Sequence, residues 1–423
     1  MRFYLKKAKV TFMKKIIDKK LNHIKNVLHG FFLAIGTTIA EPHTILPLIV
    51  THFGGSSVLV GFFSSLLRGG VVVIQLYAAF YAQSYPYMLK YIRRVFLSRF
   101  IAWFFIGFSI IIFGDKYPNL TLFYIGLGLF IFSFSAGFGA VYFKEIMAKI
   151  FTHKFRGKSM ATRQFFAGLG AIISGAGAGY ILENFEPPLN YGLLFIISTF
   201  LMGFGYLAFG LIEEPIKTNL AQKEKSFKEF LKNSFNILKT DTLLQNQIIT
   251  FLLAYSYLFS LPFIIIDASS TIELGGKEIG LIITAQMVGA MLSNLMWGKL
   301  SGKGLNKLIS QITIALFITA ISLAYIGESL YLYMLIFFIV GAGMDGNRIA
   351  SSNLIILIAP EEKRPVYTAL QTNIVSFGIF FSLLGGVILS FSSYEVLYSF
   401  TLILLFLSFR FSLKLQENID SQP

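Results

Sequence analysis

Twelve apolar runs limit what this chain can fold into. They lie near 27–51, 58–83, 92–114, 120–148, 159–182, 190–212, 243–268, 277–299, 306–326, 330–358, 366–390 and 394–415. Each is long enough to cross a hydrocarbon core of about 30 Å as a helix. Inside lipid only helices and closed barrels satisfy every backbone polar group. The polar stretch 213–242 divides the runs six and six. The expected fold is an all-α membrane protein, with twelve transmembrane helices in two six-helix bundles. Its expected parts are a basic amphipathic N-terminus (1–26), a first bundle (27–212), a central loop (213–242), a second bundle (243–415) and a short tail (416–423). Composition agrees: 55% of residues are hydrophobic and 13% charged, with a mean hydropathy of +0.69, against about 25% charged in soluble domains.

The net charge of +15 could suggest a nucleic-acid partner, but its placement excludes that reading. All but three of the 36 lysines and arginines fall at the N-terminus, in the alternate loops, in the central loop or in the parts of spans that lead to that same side, Arg348 being the deepest. The opposite loops hold Lys116 and Lys277, and Arg68 lies inside a span. By the positive-inside rule both termini and the central loop face the cytoplasm. A multi-pass protein of the cytoplasmic membrane is expected, with the bilayer and a small molecule as partners and a monomeric state. No signal peptide is expected, because the first apolar run is full length and follows a long basic start. Cysteine is absent and the five histidines (His23, His29, His43, His52, His153) show no ligand spacing, so neither a disulfide nor a metal or other cofactor is expected. The chain also lacks a phosphate-binding GxxxxGK[ST] loop, which disfavours an ATP-driven pump.

In the central loop, Ser226-Phe227-Lys228-Glu229 has the capping-box pattern. The stripe Phe227, Phe230, Leu231, Phe235 and Leu238 then predicts a short amphipathic helix on the membrane surface. The two halves also repeat. Arg156-Gly157 after span 4 matches Arg364-Pro365 after span 10, and at the same offset Gly170 matches Gly378 and Gly177 matches Gly385. Two similar halves in the same orientation are a parallel repeat, as in secondary transporters. In span 5, Gly168, Ala171, Gly175 and Gly179 predict close helix contact, either as tight packing or as a moving interface.

These features resemble the major facilitator superfamily over roughly 27–415. Gly298-Lys299-Leu300-Ser301-Gly302-Lys303-Gly304-Leu305-Asn306-Lys307 resembles the family's loop signature, with Gly302 where the family has an acid. Ala79-Phe80-Tyr81-Ala82-Gln83-Ser84-Tyr85-Pro86 is the first-half copy, without the acid or the basic residue. In the family these loops form charged cytoplasmic latches. Glu41-Pro42-His43-Thr44-Ile45-Leu46-Pro47, followed by Gly54-Gly55-Ser56, is similar to a large prokaryotic branch of mostly undefined substrate. The resemblance implies alternating access, with spans 1, 4, 7 and 10 lining a central cavity.

Four ionisable residues lie deep in spans: Glu41, Arg68, Asp345 and Arg348. A helix rise of about 1.5 Å per residue places them in one layer near the midplane. A charge there costs on the order of 2.5–3.5 kcal/mol and marks a functional site by default. Pro42 and Pro47 loosen the first span around Glu41, whose face is extended by Thr37 and Thr44 at helical spacing. Glu41 is either a proton carrier, loading on one side and releasing on the other, or the ion-pair partner of Arg68 on the adjacent span. Asp345, the second candidate for proton coupling, stands one turn from Arg348 and either neutralises it locally or shares a site with it. Its segment Gly341-Ala342-Gly343-Met344-Asp345-Gly346-Asn347-Arg348 lets backbone approach a bound group. Gln75, on the Arg68 face, with Tyr257, Gln286 and Asn347 completes the candidate cavity wall. Asn294 is expected either in the cavity or between helices, and His43 as an interhelical donor.

The expected function is secondary active transport of a small organic solute by alternating access, driven by the proton gradient, with efflux slightly preferred. Alternatives are proton-coupled uptake of an anionic or sugar-like solute, lipid or lysolipid translocation, and, from another class, a membrane-embedded enzyme or receptor. No nucleophile–base constellation supports the enzyme.

Overall fold

A computed structural model describes residues 19–39, 41–82, 85–216, 237–360 and 363–416. The capping-box segment of the central loop, most of the basic N-terminus and the last seven residues lie outside these, as do the side chains of Gln75 and Arg364. The described residues are helical almost throughout. The first span is α1 (Lys19–Ile39) plus α2 (Ile45–His52). The first bundle continues with α3 (Ser57–Ala82), α4 (Leu89–Phe113), α5 (Pro118–Ile150), α6 (His153–Asn184) and α7 (Leu189–Gly210). The seventh span is α8 (Thr242–Ala254) plus α9 (Tyr257–Thr271), followed by α10 (Gly276–Gly302), α11 (Asn306–Ala324) and α12 (Leu330–Ile358). The eleventh comprises α13 (Arg364–Ser376), a 3-10 turn (Phe377–Phe380) and α14 (Phe381–Phe391), and the twelfth is α15 (Tyr394–Ser412). Among the described residues, eleven stretches are long and apolar enough to cross a membrane. The remaining span, the first, is interrupted, and its helix starts at Lys19, ahead of the apolar run.

Local chemistry sets several helix starts. Pro118 opens α5, where its missing N–H has no helical partner to lose. Asp241 and Ser329 cap α8 and α12 by accepting from the Leu244 and Leu332 amides, as short polar side chains do at helix N-termini. The buried Glu214 carboxylate accepts from the Met88 and Leu89 amides at the start of α4, and Lys149 lies 2.5 Å from it. The chain leaving the first bundle is thereby tied back to two of its helices.

The repeat is visible in the packing. In α6, Gly170 packs on Phe31 of α1, and Ser174 donates to the Ile35 carbonyl at 2.7 Å. In the eleventh span, Gly378 packs on Tyr255, and Ser382 donates to the Leu258 carbonyl at 3.1 Å. Spans 5 and 11 therefore grip spans 1 and 7 in the same way, and both gripped spans are broken near mid-length.

The bundles meet at the end whose loops are poor in basic residues. There Gly61 lies against the Ser382 backbone and Gly386 against Ser57. Ser57 donates to the Gly386 carbonyl at 3.0 Å and Ser65 to the Ile379 carbonyl at 3.1 Å. On the other flank a Cβ on Gly280 would stand 2.7 Å from the Gly179 Cα, and Glu183 accepts from the Lys277 amide at 3.1 Å. Gly175 packs on Thr284, while Gly168 is in ordinary contact with Met291. The small residues of span 5 thus face the other bundle, not only their own. The apolar core around Trp103, Phe132 and Phe195 runs on into Phe259, Phe263, Ile279 and Ile283 of the second bundle.

Because the α6–α10 approach leaves no room for a side chain, Gly280→Val should destabilise the protein by about 1–3 kcal/mol, the usual cost of overpacking. Gly298→Ala, with open space around it, should change little. Thermal unfolding in detergent compares the two, and equal melting temperatures would refute the close-contact role.

Candidate functional site

The first span breaks where its sequence places an acid directly before the first of two prolines, Pro42 and Pro47. Pro42 has no N–H, and Pro47 sits in the first turn of α2, where none is needed. Between the helices Glu41 donates its amide to the Thr38 carbonyl at 3.1 Å, and its own carbonyl accepts from Leu46 at 3.2 Å. The Pro42 carbonyl is taken by Ser64 of α3 at 2.8 Å. This break corrects the expected common face of Thr37, Glu41 and Thr44: residues 41–44 are not helical, so helical spacing does not apply across them. Thr37 turns its hydroxyl back to the Leu33 carbonyl at 2.9 Å, and Thr44 is fully buried.

Arg68 reaches this break from α3. Its Nη2 lies 3.6 Å from Glu41 Oε1, and His43 Nε2 lies 3.8 Å from the same oxygen. Glu41 and His43 are both buried, yet Glu41 Oε1 and both His43 ring nitrogens have no hydrogen-bond partner among the described residues. The expectation of His43 as an interhelical donor is therefore not met: its ring nitrogens lie at the break, where no acceptor comes within bonding reach. On α12 the arrangement is tighter. Arg348 donates to Asp345 Oδ1 at 2.9 Å, and Asn294 of α10 donates to Asp345 Oδ2 at 2.6 Å. Asn294 thus bonds between helices.

A cavity of about 350 Å³ joins the two halves. Its wall includes His43, Ser64 and Arg68 from the first bundle, and Tyr255, Tyr257, Met344, Asp345, Asn347 and Arg348 from the second. Four of the predicted wall residues, Arg68, Tyr257, Asn347 and Arg348, line it together with Asp345. Glu41 is buried beside them, behind Arg68 and His43. Gln286 is buried between α10 and α12, its amide 4.0 Å from the Met344 sulfur, and it does not line the cavity. Thr37 and Thr44 do not line it either, and the Gln75 side chain lies outside the described residues. Tyr257 stacks on Phe317 at 4.1 Å, which fixes its ring on the wall. Ser64, Leu258, Ile379 and Ser382 also line it and were missed from sequence. Ser64, one turn from Arg68, was the only one with a visible signal. Although mid-span, the Arg68 and Arg348 side chains are 43% and 61% exposed, so neither guanidinium is packed away from accessible space.

The sequence profile of the Major Facilitator Superfamily matches residues 27–274 and again 247–418. The chain belongs to the Major Facilitator Superfamily. No curated protein sequence matches it. Solved structures share the superfamily fold at low identity. A variant of the nucleoside transporter NupG superposes with a TM-score of 0.73 at 12% identity, covering 92% of this chain and 99% of its own. A D-xylose-proton symporter gives 0.69 at 13%, covering 96% and 99%. The inward-open xylose transporter XylE from E. coli gives 0.67 at 11%, covering 96% and 97%. The chain is a multi-pass membrane protein of a transporter family. One superfamily element is built differently here. The loop after α10 carries no acid, and Asn353 of α12 instead donates to Ser301 at 2.7 Å and to Asn306 at 3.1 Å.

Removing one member of a buried ion pair strands the other. Arg68→Ala should therefore cost about 1–2 kcal/mol more than Arg68→Ala combined with Glu41→Gln, a reduced figure because Arg68 opens onto water. A double-mutant cycle by thermal unfolding measures the difference, and additive losses would dissolve the pair. Asn294→Ala removes a hydrogen bond to a carboxylate and should cost about 1.5–3 kcal/mol by the same measurement. No loss would show Asp345 to be held without it.

Proposed function

We propose that this chain is a proton-coupled secondary transporter, moving a small organic solute by alternating access through the cavity between its bundles. The observation that carries the reading is a charged mid-span wall assembled from both halves, with His43 and Arg68 on one side, Asp345, Asn347 and Arg348 on the other, and Glu41 buried within 4 Å of both His43 and Arg68. Intramembrane ionisable residues around a water-filled cavity mark solute and proton pathways, and transporter sites lie near the midplane at the repeat interface. Glu41 is the proposed proton carrier. Its oxygen is loosely held and buried, whereas both Asp345 oxygens are engaged, which makes Asp345 the anchor of Arg348.

The positive-inside rule supports termini and a central loop on the cytoplasmic side, and the cytoplasmic membrane is the proposed location. The end at which the bundles touch is then external, and the cavity opens inward. The expectation of efflux drew on an apolar, aromatic wall. The two guanidinium groups and the Asp345 carboxylate on the wall, with Glu41 behind it, favour a polar solute instead, which fits the uptake alternative. Nucleosides and xylose belong to the names of the structural neighbours; here they serve as probes.

Proteoliposomes offered labelled xylose, uridine or benzenesulfonate, with and without an inward proton gradient, test the reading. The native protein should accumulate at least one of them against its gradient only when the proton gradient is present, and Glu41→Gln should abolish that accumulation while retaining exchange. Accumulation of none, or unchanged proton dependence in Glu41→Gln, would overturn it.

A further inference from the structure

Two guanidinium groups from opposite bundles share one cavity, but they are held differently. Arg348 is bonded to Asp345, whose second oxygen is bonded to Asn294. Among the described residues Arg68 has only the loose approach to Glu41 at 3.6 Å. Buried polar groups are nearly always hydrogen-bonded. Here Glu41 Oε1, both His43 nitrogens and Asn347 Oδ1 are buried without partners among the described residues, all at the cavity wall or directly behind it. An incompletely bonded cluster around an exposed guanidinium is a site that a ligand completes. Tyr255, Tyr257, Leu258 and Met344 supply an apolar flank beside it.

We propose that the cavity takes a small organic monoanion together with one proton: the anionic group on Arg68, the proton on Glu41, and the apolar body against Tyr255, Tyr257, Leu258 and Met344. This assignment rests on the transporter reading and names its solute class.

Charge balance gives the coupling. With Glu41 ionised, two cations (Arg68, Arg348) face two anions (Glu41, Asp345), and an incoming anion competes with Glu41 for one guanidinium. A proton from cavity water settling on Glu41 Oε1 ends that competition. It leaves one net positive charge, which the solute anion neutralises. His43 Nε2, 3.8 Å from that oxygen, is placed to accept the new O–H as the side chains close up. The only covalent change is that proton transfer: an O–H of a hydronium ion in the cavity breaks, the Glu41 O–H forms, and water is left. The groups facing Glu41 are His43 on its own segment, Arg68 on α3, and Tyr257 next to α8 at the start of α9; Tyr255, Asp345 and Arg348 complete the charged or titratable wall. Proton and anion each raise the other's affinity by the same factor, as linkage requires.

Thermal-shift titration of the purified protein at about pH 5.5 and about pH 7.5 tests this, because a ligand that binds the folded state stabilises it by mass action. The probes are benzenesulfonate, which stays ionised at both values, benzoate, and the neutral benzamide. Both anions should stabilise and benzamide should not. Benzenesulfonate should bind roughly tenfold more tightly at the lower pH, a coupling within the usual range between linked sites, and Glu41→Gln should bind it equally at both. Arg68→Gln should lose roughly tenfold or more in anion affinity, the range for a charge-assisted hydrogen bond. If Arg68→Gln does not fold, Arg68→Gln with Glu41→Gln, which removes both charges, takes its place. Benzamide binding as well as benzoate, no binding by either anion, or pH dependence surviving in Glu41→Gln would overturn the assignment. Binding is read here without movement. Anion binding with no gradient-driven accumulation would overturn the transport reading alone, and accumulation of xylose or uridine with no anion binding would overturn this assignment alone.

Discussion

A carboxylate at mid-bilayer depth must find a partner or lie against water, and the structure around residues 41–44 follows from that requirement. Two prolines prevent a continuous helix there. The break turns Glu41 and His43 towards α3 and leaves a backbone carbonyl, that of Pro42, for Ser64 to satisfy. Arg68 sits one turn beyond Ser64 on the same helix, so the residue that closes the break also brings the guanidinium to the carboxylate. Loosened helices of this kind are tolerated at membrane depth only where protein or a water-filled cavity surrounds them. The cavity and the break therefore depend on each other.

The second half repeats the arrangement with different chemistry. Span 7 breaks between Ala254 and Tyr257, and Ser382 binds the Leu258 carbonyl there as Ser174 binds Ile35 in the first half. The second half has no acid at its break. Its charged pair stands on α12 and is braced by Asn294 across to α10. One half thus carries a loosely bonded carboxylate and the other a carboxylate with both oxygens engaged. The loosely bonded one has room to exchange partners.

Movement between the bundles needs contacts that are close but not interlocked. The paired glycines of α6 and α10, and of α3 and α14, bring backbones together with few side chains between them. The hydrogen bonds there pair a side chain with backbone: Ser57 and Ser65 donate to carbonyls, and Ser65 and Glu183 accept from amides. Small interfacial residues permit this approach in lipid, where no hydrophobic force drives helices together. The neutral Asn353 contact to the loop after α10 is of the same modest kind, where the superfamily's pattern has charges.

The sequence by itself determined the span number, the division into two repeated bundles and the sidedness of charge, because burial in lipid demands long apolar helices and the loops carry their sign openly. It also marked Glu41, Arg68, Asp345 and Arg348, since an ionisable residue inside an apolar run has no ordinary explanation. Only the tertiary structure decided which of these are tightly held. Helical spacing placed Thr37 and Thr44 on one face with Glu41, but residues 41–44 are not helical and neither threonine lines the cavity. Gln286 was drawn into the cavity by its polarity, yet it lies buried between two helices. Ser382 and Met344 carry no mark in sequence because a serine or methionine in an apolar span is usually packing. Whether Asp345 or Glu41 has a free oxygen depends on a donor far away in the chain, Asn294, which no local pattern reveals. Hydrogen-bond satisfaction is a property of neighbours in space, and here it separates Asp345, with both oxygens engaged, from Glu41, whose Oε1 has no partner among the described residues.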